Sequence, residues 1–225
     1  MKLIKKLGKD YIIYALTGII ANGINFLFIP FYTRIFSPSE YGSLEMLTVI
    51  TNFLNIILVM GMDSAQSIYF FKFEKDGLKK QSYLVSSILQ WRIILGLLAI
   101  FICTFISPLI NNIFFDGQLN LIYFLVAFSS SLFLQIMTQC TDLARLTFKP
   151  WDYLKINFIY SLICGVFIII FVGIFREKVL GYFIGLFFSS LIVSFYGWKK
   201  FTKYLSLNKI HWNLWPKLIN FSFPI

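Results

Sequence analysis

The sequence predicts an all-α integral membrane protein built as a bundle of six transmembrane helices, and three observations lead there. Hydrophobic residues make up 58% of the chain and charged residues 13%, with a mean hydropathy of +0.77. That balance suits lipid, not water, as the main solvent. Apolar runs recur along the chain, each near the roughly 20 residues that a helix needs to cross a hydrocarbon core of about 30 Å. Lys and Arg are gathered in alternate connections between those runs. The aromatic fraction of 20% fits helices that pack against acyl chains and anchor at both interfaces.

The runs place spans near residues 11–36, 41–71, 82–106, 119–140, 153–175 and 179–198, which together form one six-helix lobe over residues 1–198. The first run is longer than a signal-peptide core and ends in Arg34 and Ser37-Pro38, so it reads as a retained helix. The second starts at Ser37-Pro38-Ser39-Glu40, where an N-cap serine, a proline at the first helical position and a glutamate three residues after the cap make a capping box. In the third, the most apolar stretch is Ile93 to Phe115, broken by Ser107-Pro108, and an amphipathic run from Gln81 to Gln90 continues the helix on the inner side. Residues 111–120, whose only charge is Asp116, read as an external loop. Trp151 and Tyr153 flank the fifth span, and Tyr196 and Trp198 close the sixth, as interfacial anchors do. Gly181 and Gly185 form a small-x-x-x-small pair on the sixth, which lets a neighbouring helix approach closely. Residues 199–217 are a basic, Trp-bearing segment expected on the cytoplasmic interface. Residues 218–225 begin another apolar run, expected as the start of a truncated seventh helix of a longer protein.

Orientation follows from the bases. The N-terminus, the second-to-third connection, the fourth-to-fifth connection and the stretch after the sixth span hold four, four, three and five Lys and Arg. The opposite segments hold Arg34, Arg176 and Lys178, and Arg92 fits neither set. The positive-inside rule then puts the N-terminus in the cytoplasm. The formal charge of +10 is a topology signal and not a nucleic-acid footprint, because the bases are split among short clusters. Cys103, Cys140 and Cys164 lie in apolar segments without C-x-x-C spacing, so they read as packing residues and not as metal ligands or a disulfide framework.

Polar residues inside spans are costly and need a partner, an aqueous cavity or an interface. On the second helix Glu45, Asn52, Asn55, Asp63 and Gln66 recur at spacings that suggest one face. The fourth carries Gln135, Thr138, Gln139, Asp142 and Arg145, and the first carries Asn22, Asn25 and Arg34. Two readings stay open: these groups line a hydrated cavity, or they are hydrogen-bonding glue between helices. Arg34 alternatively snorkels to headgroups, and Asp142 and Arg145, three apart, alternatively pair with each other. The single histidine, His211, lies in the basic segment. The chain has no His-Glu-x-x-His, glycine-rich phosphate loop or Gly-x-Ser-x-Gly, so neither an enzyme nor a cofactor is expected.

The phrase Arg34-Ile35-Phe36-Ser37-Pro38-Ser39-Glu40-Tyr41-Gly42, and Gly61-Met62-Asp63-Ser64-Ala65 late in the second span, resemble the Wzx-type polysaccharide and O-antigen flippases. These belong to the multidrug/oligosaccharidyl-lipid/polysaccharide exporter superfamily. The resemblance implies one lobe of a 12–14 helix transporter in a bacterial inner membrane. Its cargo would be an undecaprenyl-diphosphate-linked oligosaccharide, moved between leaflets by alternating access. It also implies that cations such as Arg34 meet the diphosphate, while Glu45 and Asp63 line the cavity or serve ion coupling; charge complementarity to the diphosphate adds Arg92 as a second candidate. Partners would be the lipid-linked oligosaccharide, membrane lipid, and a C-terminal lobe or glycan-assembly proteins. The alternatives are a multidrug antiporter coupled through Asp63, a scaffold subunit of a glycan-assembly complex, and a membrane-embedded glycosyltransferase.

Overall fold

The computed structural model describes residues 2–205 and 214–222, without the side chains of residues 2–9, 21, 22, 25, 217 and 222. Inside a bilayer each backbone N–H and C=O needs a partner from the chain itself, which favours helices. The described residues form helices and no strand: α1 (Lys2–Ile35), α2 (Pro38–Val59), α3 (Met62–Lys72), α4 (Leu78–Phe114), α5 (Leu121–Leu146), α6 (Pro150–Ile168), α7 (Lys178–Lys200) and α8 (Trp215–Ser222). A 3-10 turn, Glu74–Asp76, precedes α4, and a π-helical stretch, Ile169–Ile174, prolongs α6. Among the described residues five segments are long and apolar enough to cross a membrane: Pro38–Lys72 (α2 with α3), Leu78–Phe114, Leu121–Leu146, Pro150–Ile174 and Lys178–Lys200. Helix α1 is itself a continuous helix of 34 residues, whose apolar stretches among the fully described residues are Asp10–Ile20 and Phe26–Ile35. The protein is therefore a multi-pass membrane helix bundle.

The helices run antiparallel between two ends. At one, the α1–α2 and α6–α7 connections meet, and Lys178 Nζ lies 2.5 Å from Glu40 Oε1. The capping box forms there as the sequence predicts: the Ser37 N–H donates to Glu40 (2.9 Å) and the Glu40 N–H to the Ser37 hydroxyl (3.4 Å). At the other end Lys200 pairs with Asp152 at 2.7 Å, and the Tyr14 and Tyr153 rings meet edge to face. Lys72, Lys75, Lys79, Lys80, Lys149 and Lys203 lie at this second end, which we call the basic end; the first is the far end.

Helix α5 is the hub, packed against α2, α4, α6 and α7, while α1 lies on α6. The contact of α7 with its neighbours depends on glycines. A Cβ on Gly181 would stand 2.9 Å from the Phe171 backbone, one on Gly185 2.8 Å from Ile168, and one on Gly197 2.7 Å from Cys140. The three cysteines form no disulfide.

The second span is not one helix. Met60 (φ 41°) and Gly61 (φ 72°) are both left-handed, ending α2 and starting α3 on a new axis. A non-glycine residue rarely adopts this conformation, and the pair interrupts the ladder. In α4, by contrast, the helix runs through Ser107-Pro108 to Phe114, correcting the break expected there. Pro108 cannot donate to the Thr104 carbonyl. The Ser107 hydroxyl does so instead, at 2.7 Å. Beyond α7, Phe201 and Leu205 are buried, and the hydroxyls of Ser82 and Ser86 donate to the Tyr204 carbonyl. Trp215 of α8 meets Trp91 edge to face, and Leu218 is buried in the same cluster. The described parts of the basic segment thus fold back on α3 and α4. Its Lys209 and His211, and residues 223–225 of the eight-residue apolar run, lie outside the described residues.

Candidate functional site

The break at Met60–Gly61 sets the geometry of the polar centre. It leaves Asp63 in the first turn of α3, where unpaired backbone N–H groups favour a carboxylate. Facing it from α4 is Arg92, a fully buried arginine (0% exposed). Its Nη2 pairs with Asp63 Oδ1, and its Nη1 donates to the Gln135 carbonyl at 2.9 Å. Asp63 keeps 32% of its side chain exposed, so the pair is enclosed on the arginine side and open on the carboxylate side.

Helix α5 supplies the floor, because Gln135, Gln139 and Asp142 are spaced by four and three residues and share one face. Gln135 Nε2 donates to Asn55 Oδ1 of α2 at 3.1 Å. Gln139 Nε2 donates to Gln66 Oε1 of α3 at 3.1 Å and to the Val85 carbonyl of α4 at 2.9 Å. Asp142 interacts directly with Asp63 and pairs with Arg145 at 2.8 Å. The result is two carboxylates and two guanidiniums joined to a net of amides, bridging α2, α3, α4 and α5. The net is not saturated by the chain. Gln66 Nε2, Arg92 Nε, Gln135 Oε1 and Gln139 Oε1 are buried without a protein partner. Buried polar atoms are nearly always satisfied, so this centre has hydrogen-bonding capacity to offer water or a polar solute.

The structure therefore gathers Asn55, Asp63, Gln66, Arg92, Gln135, Gln139, Asp142 and Arg145. It corrects the expected single stripe on the second span. Glu45 and Asn52 are exposed on α2, whereas Gln66 is fully buried on α3. The expected stripe divides within α2 itself: Asn55 reaches the centre across the left-handed pair from Asp63 and Gln66, whereas Asn52 and Glu45, about one turn and more than two turns earlier on the same helix, stay outside it. Arg34 is exposed at the far end, away from the centre. The side chains of Asn22 and Asn25 lie outside the described residues. Sequence reasoning missed Gln81, whose Nε2 donates to the Phe70 carbonyl at 3.1 Å, and buried Gln90. The 81–90 run does continue the helix as read, and its polar side packs on α3, α5 and the turn after α7. Among the described residues no group of His, Cys, Asp and Glu could hold a metal ion.

Neither a curated protein nor a solved structure matches the chain. A family model described as polysaccharide biosynthesis protein matches residues 7–225, nearly the whole chain and every helix of the centre. A multi-pass bundle with a charged, unsaturated interior and a family match of this extent lead to one assignment: the chain belongs to the polysaccharide biosynthesis protein family.

Proposed function

We propose that this protein works as a flippase in polysaccharide export, moving a lipid-linked oligosaccharide across a bacterial inner membrane without chemically transforming it. The observation that carries the reading is the Asp63–Arg92 pair, its arginine fully buried, beside a broken helix, in a chain of the polysaccharide biosynthesis family. Ionisable groups at membrane depth mark solute pathways, and interrupted helices at that depth are where transporters place polar backbone toward cargo. A diphosphate-linked sugar needs a cation for its charge and amides for its hydroxyls. Arg92 with Gln66, Gln135 and Gln139 offers both, and Arg34 is a further exposed cation for the diphosphate at the far end. Helix α1 is the sixth crossing in this reading. The clustering of bases at the basic end supports placing that end and the N-terminus in the cytoplasm.

The test is translocation by the protein in liposomes loaded with a lipid-linked saccharide. The readout is access of a membrane-impermeant glycosidase to the sugar. Arg92→Gln and Asp63→Asn, each inserted at normal yield, should lower the rate at least tenfold. A rate equal to wild type in both would overturn the reading.

A further inference from the structure

At the far end, two adjoining recesses of about 150 Å³ and 220 Å³ share Ser39, Ser43 and Gln118. They lie between the first turns of α2, the α4–α5 connection and the start of α7. Tyr123, Glu40 and Lys178 complete the smaller recess; Phe114 and Asp116 border the larger. Both are remote from the Arg92 centre, and the mechanism proposed above uses neither.

The walls are fixed before any ligand arrives. The Glu40–Lys178 ion pair, with Glu40 also held by the capping box, clamps α2 to α7. The connection carrying Gln118 is pinned by Asn111, whose Nδ2 donates to the Leu119 carbonyl at 2.7 Å and whose Oδ1 accepts from the Leu119 N–H at 3.1 Å. Asp116 and Gly117 take the left-handed conformations that reverse the chain there. Preorganised walls lower the cost of binding.

The chemistry of the lining selects the ligand. Ser39, Ser43 and Tyr123 each offer a hydroxyl that both donates and accepts, and Gln118 offers an amide that does the same. Glu40 and Lys178 neutralise each other, so the smaller recess has no net charge to attract an ion, and at the border of the larger Asp116 adds a carboxylate that accepts from hydroxyls and repels anions. The rings of Phe114 and Tyr123 add apolar walls. Such a lining suits a neutral molecule with many hydroxyls around a compact ring. We infer that the far-end recess is a binding site for one neutral sugar residue. It would hold the saccharide part of the cargo where it leaves or enters the bundle. This rests on the cargo reading given above.

Saturation-transfer NMR on the full chain in nanodiscs tests it, with glucose, galactose and N-acetylglucosamine as probes and the acyclic polyol sorbitol as control. At least one of the three sugars should receive saturation, and sorbitol should not. Ser43→Trp, which fills the recess, should reduce the sugar signal at least tenfold, and the gentler Ser39→Ala with Gln118→Ala about threefold, at unchanged melting temperature. No signal from any of the three sugars, an equal signal from sorbitol, or a signal that survives in both variants would overturn the inference. Translocation is read separately. Wild-type protein that moves lipid-linked saccharide but contacts no free sugar would sink the recess and leave the cargo reading standing; sugar contact without translocation would do the reverse.

Discussion

Toward the basic end, Gln66, Arg92 and Gln139 fill the space between α3, α4 and α5, all fully buried. Toward the far end, α2, α5 and α7 meet through Leu47, Leu58, Phe128 and Phe183, equally buried, with Val172 from the π-helical stretch. The same α5 serves both halves. One half is held by directional bonds among groups that are expensive to leave unpaired, and the other by shape. A half held by shape tolerates little change in volume. A half held by partners tolerates little change in chemistry.

The comparison breaks most visibly at Arg92. Arg92→Leu removes the cation facing Asp63 and leaves that carboxylate beside Asp142 without its counter-charge. Losing one partner of a fully buried pair costs about 3–5 kcal/mol, a figure lowered here because Asp63 is partly exposed, whereas replacing both by apolar residues is often neutral. Arg92→Leu should therefore lower the melting temperature in detergent by several degrees, and Asp63→Leu added to it should restore most of the loss. The doubly substituted protein should stay inactive in translocation. If it melts as low as Arg92→Leu alone, the pair is not the unit that holds this half together.

The far half should fail through volume. On Gly181 an added Cβ would meet the backbone carbonyl group of Phe171, with its C at 2.9 Å and O at 3.0 Å, and backbone cannot swing aside as a side-chain tip can. Overpacking of this kind costs about 1–3 kcal/mol. Gly181→Ala should lower the melting temperature by a smaller step than Arg92→Leu. Gly42→Ala, which meets nothing within 4 Å, should leave it unchanged. Equal effects at the two glycines would mean that the α6–α7 contact is not set by close approach.

The two halves also differed in how far the sequence disclosed them. The far half follows from local rules: the capping box at Ser37 and the glycine spacing on α7 each depend on residues a turn apart, and both are present as read. The polar centre depends on pairings across the chain. That Asp63 needs a partner is legible from its place in an apolar run, but Arg92 is 29 positions away, and a count of bases by connection treats it only as an ambiguous topology signal. The break at Met60–Gly61 left one trace, a glycine before an aspartate inside an apolar run. Hydropathy averages over such a trace, so the sequence reads α2 and α3 as one uninterrupted span. The far-end recess left no motif, because Ser39 comes from the start of α2, Gln118 from the α4–α5 connection and Lys178 from the start of α7.

The smallest effect is the one that separates a stitched interior from a merely polar one. Gln139 spends one amide on Gln66 and on the Val85 carbonyl, joining α5 to α3 and α4 at once. Bonds between membrane helices average about 0.6 kcal/mol and rarely exceed about 1.7 kcal/mol, since unfolded segments in lipid find other partners. Gln139→Met, close in volume, should therefore cost about 1 kcal/mol, a shift of about 2–4 °C for a chain of this size. Combined with Gln66→Met it should cost less than the two single losses added together, because each substitution removes the same bond. Strict additivity in that cycle would mean the amides stabilise the helices independently, and the net across α3, α4 and α5 would reduce to isolated contacts.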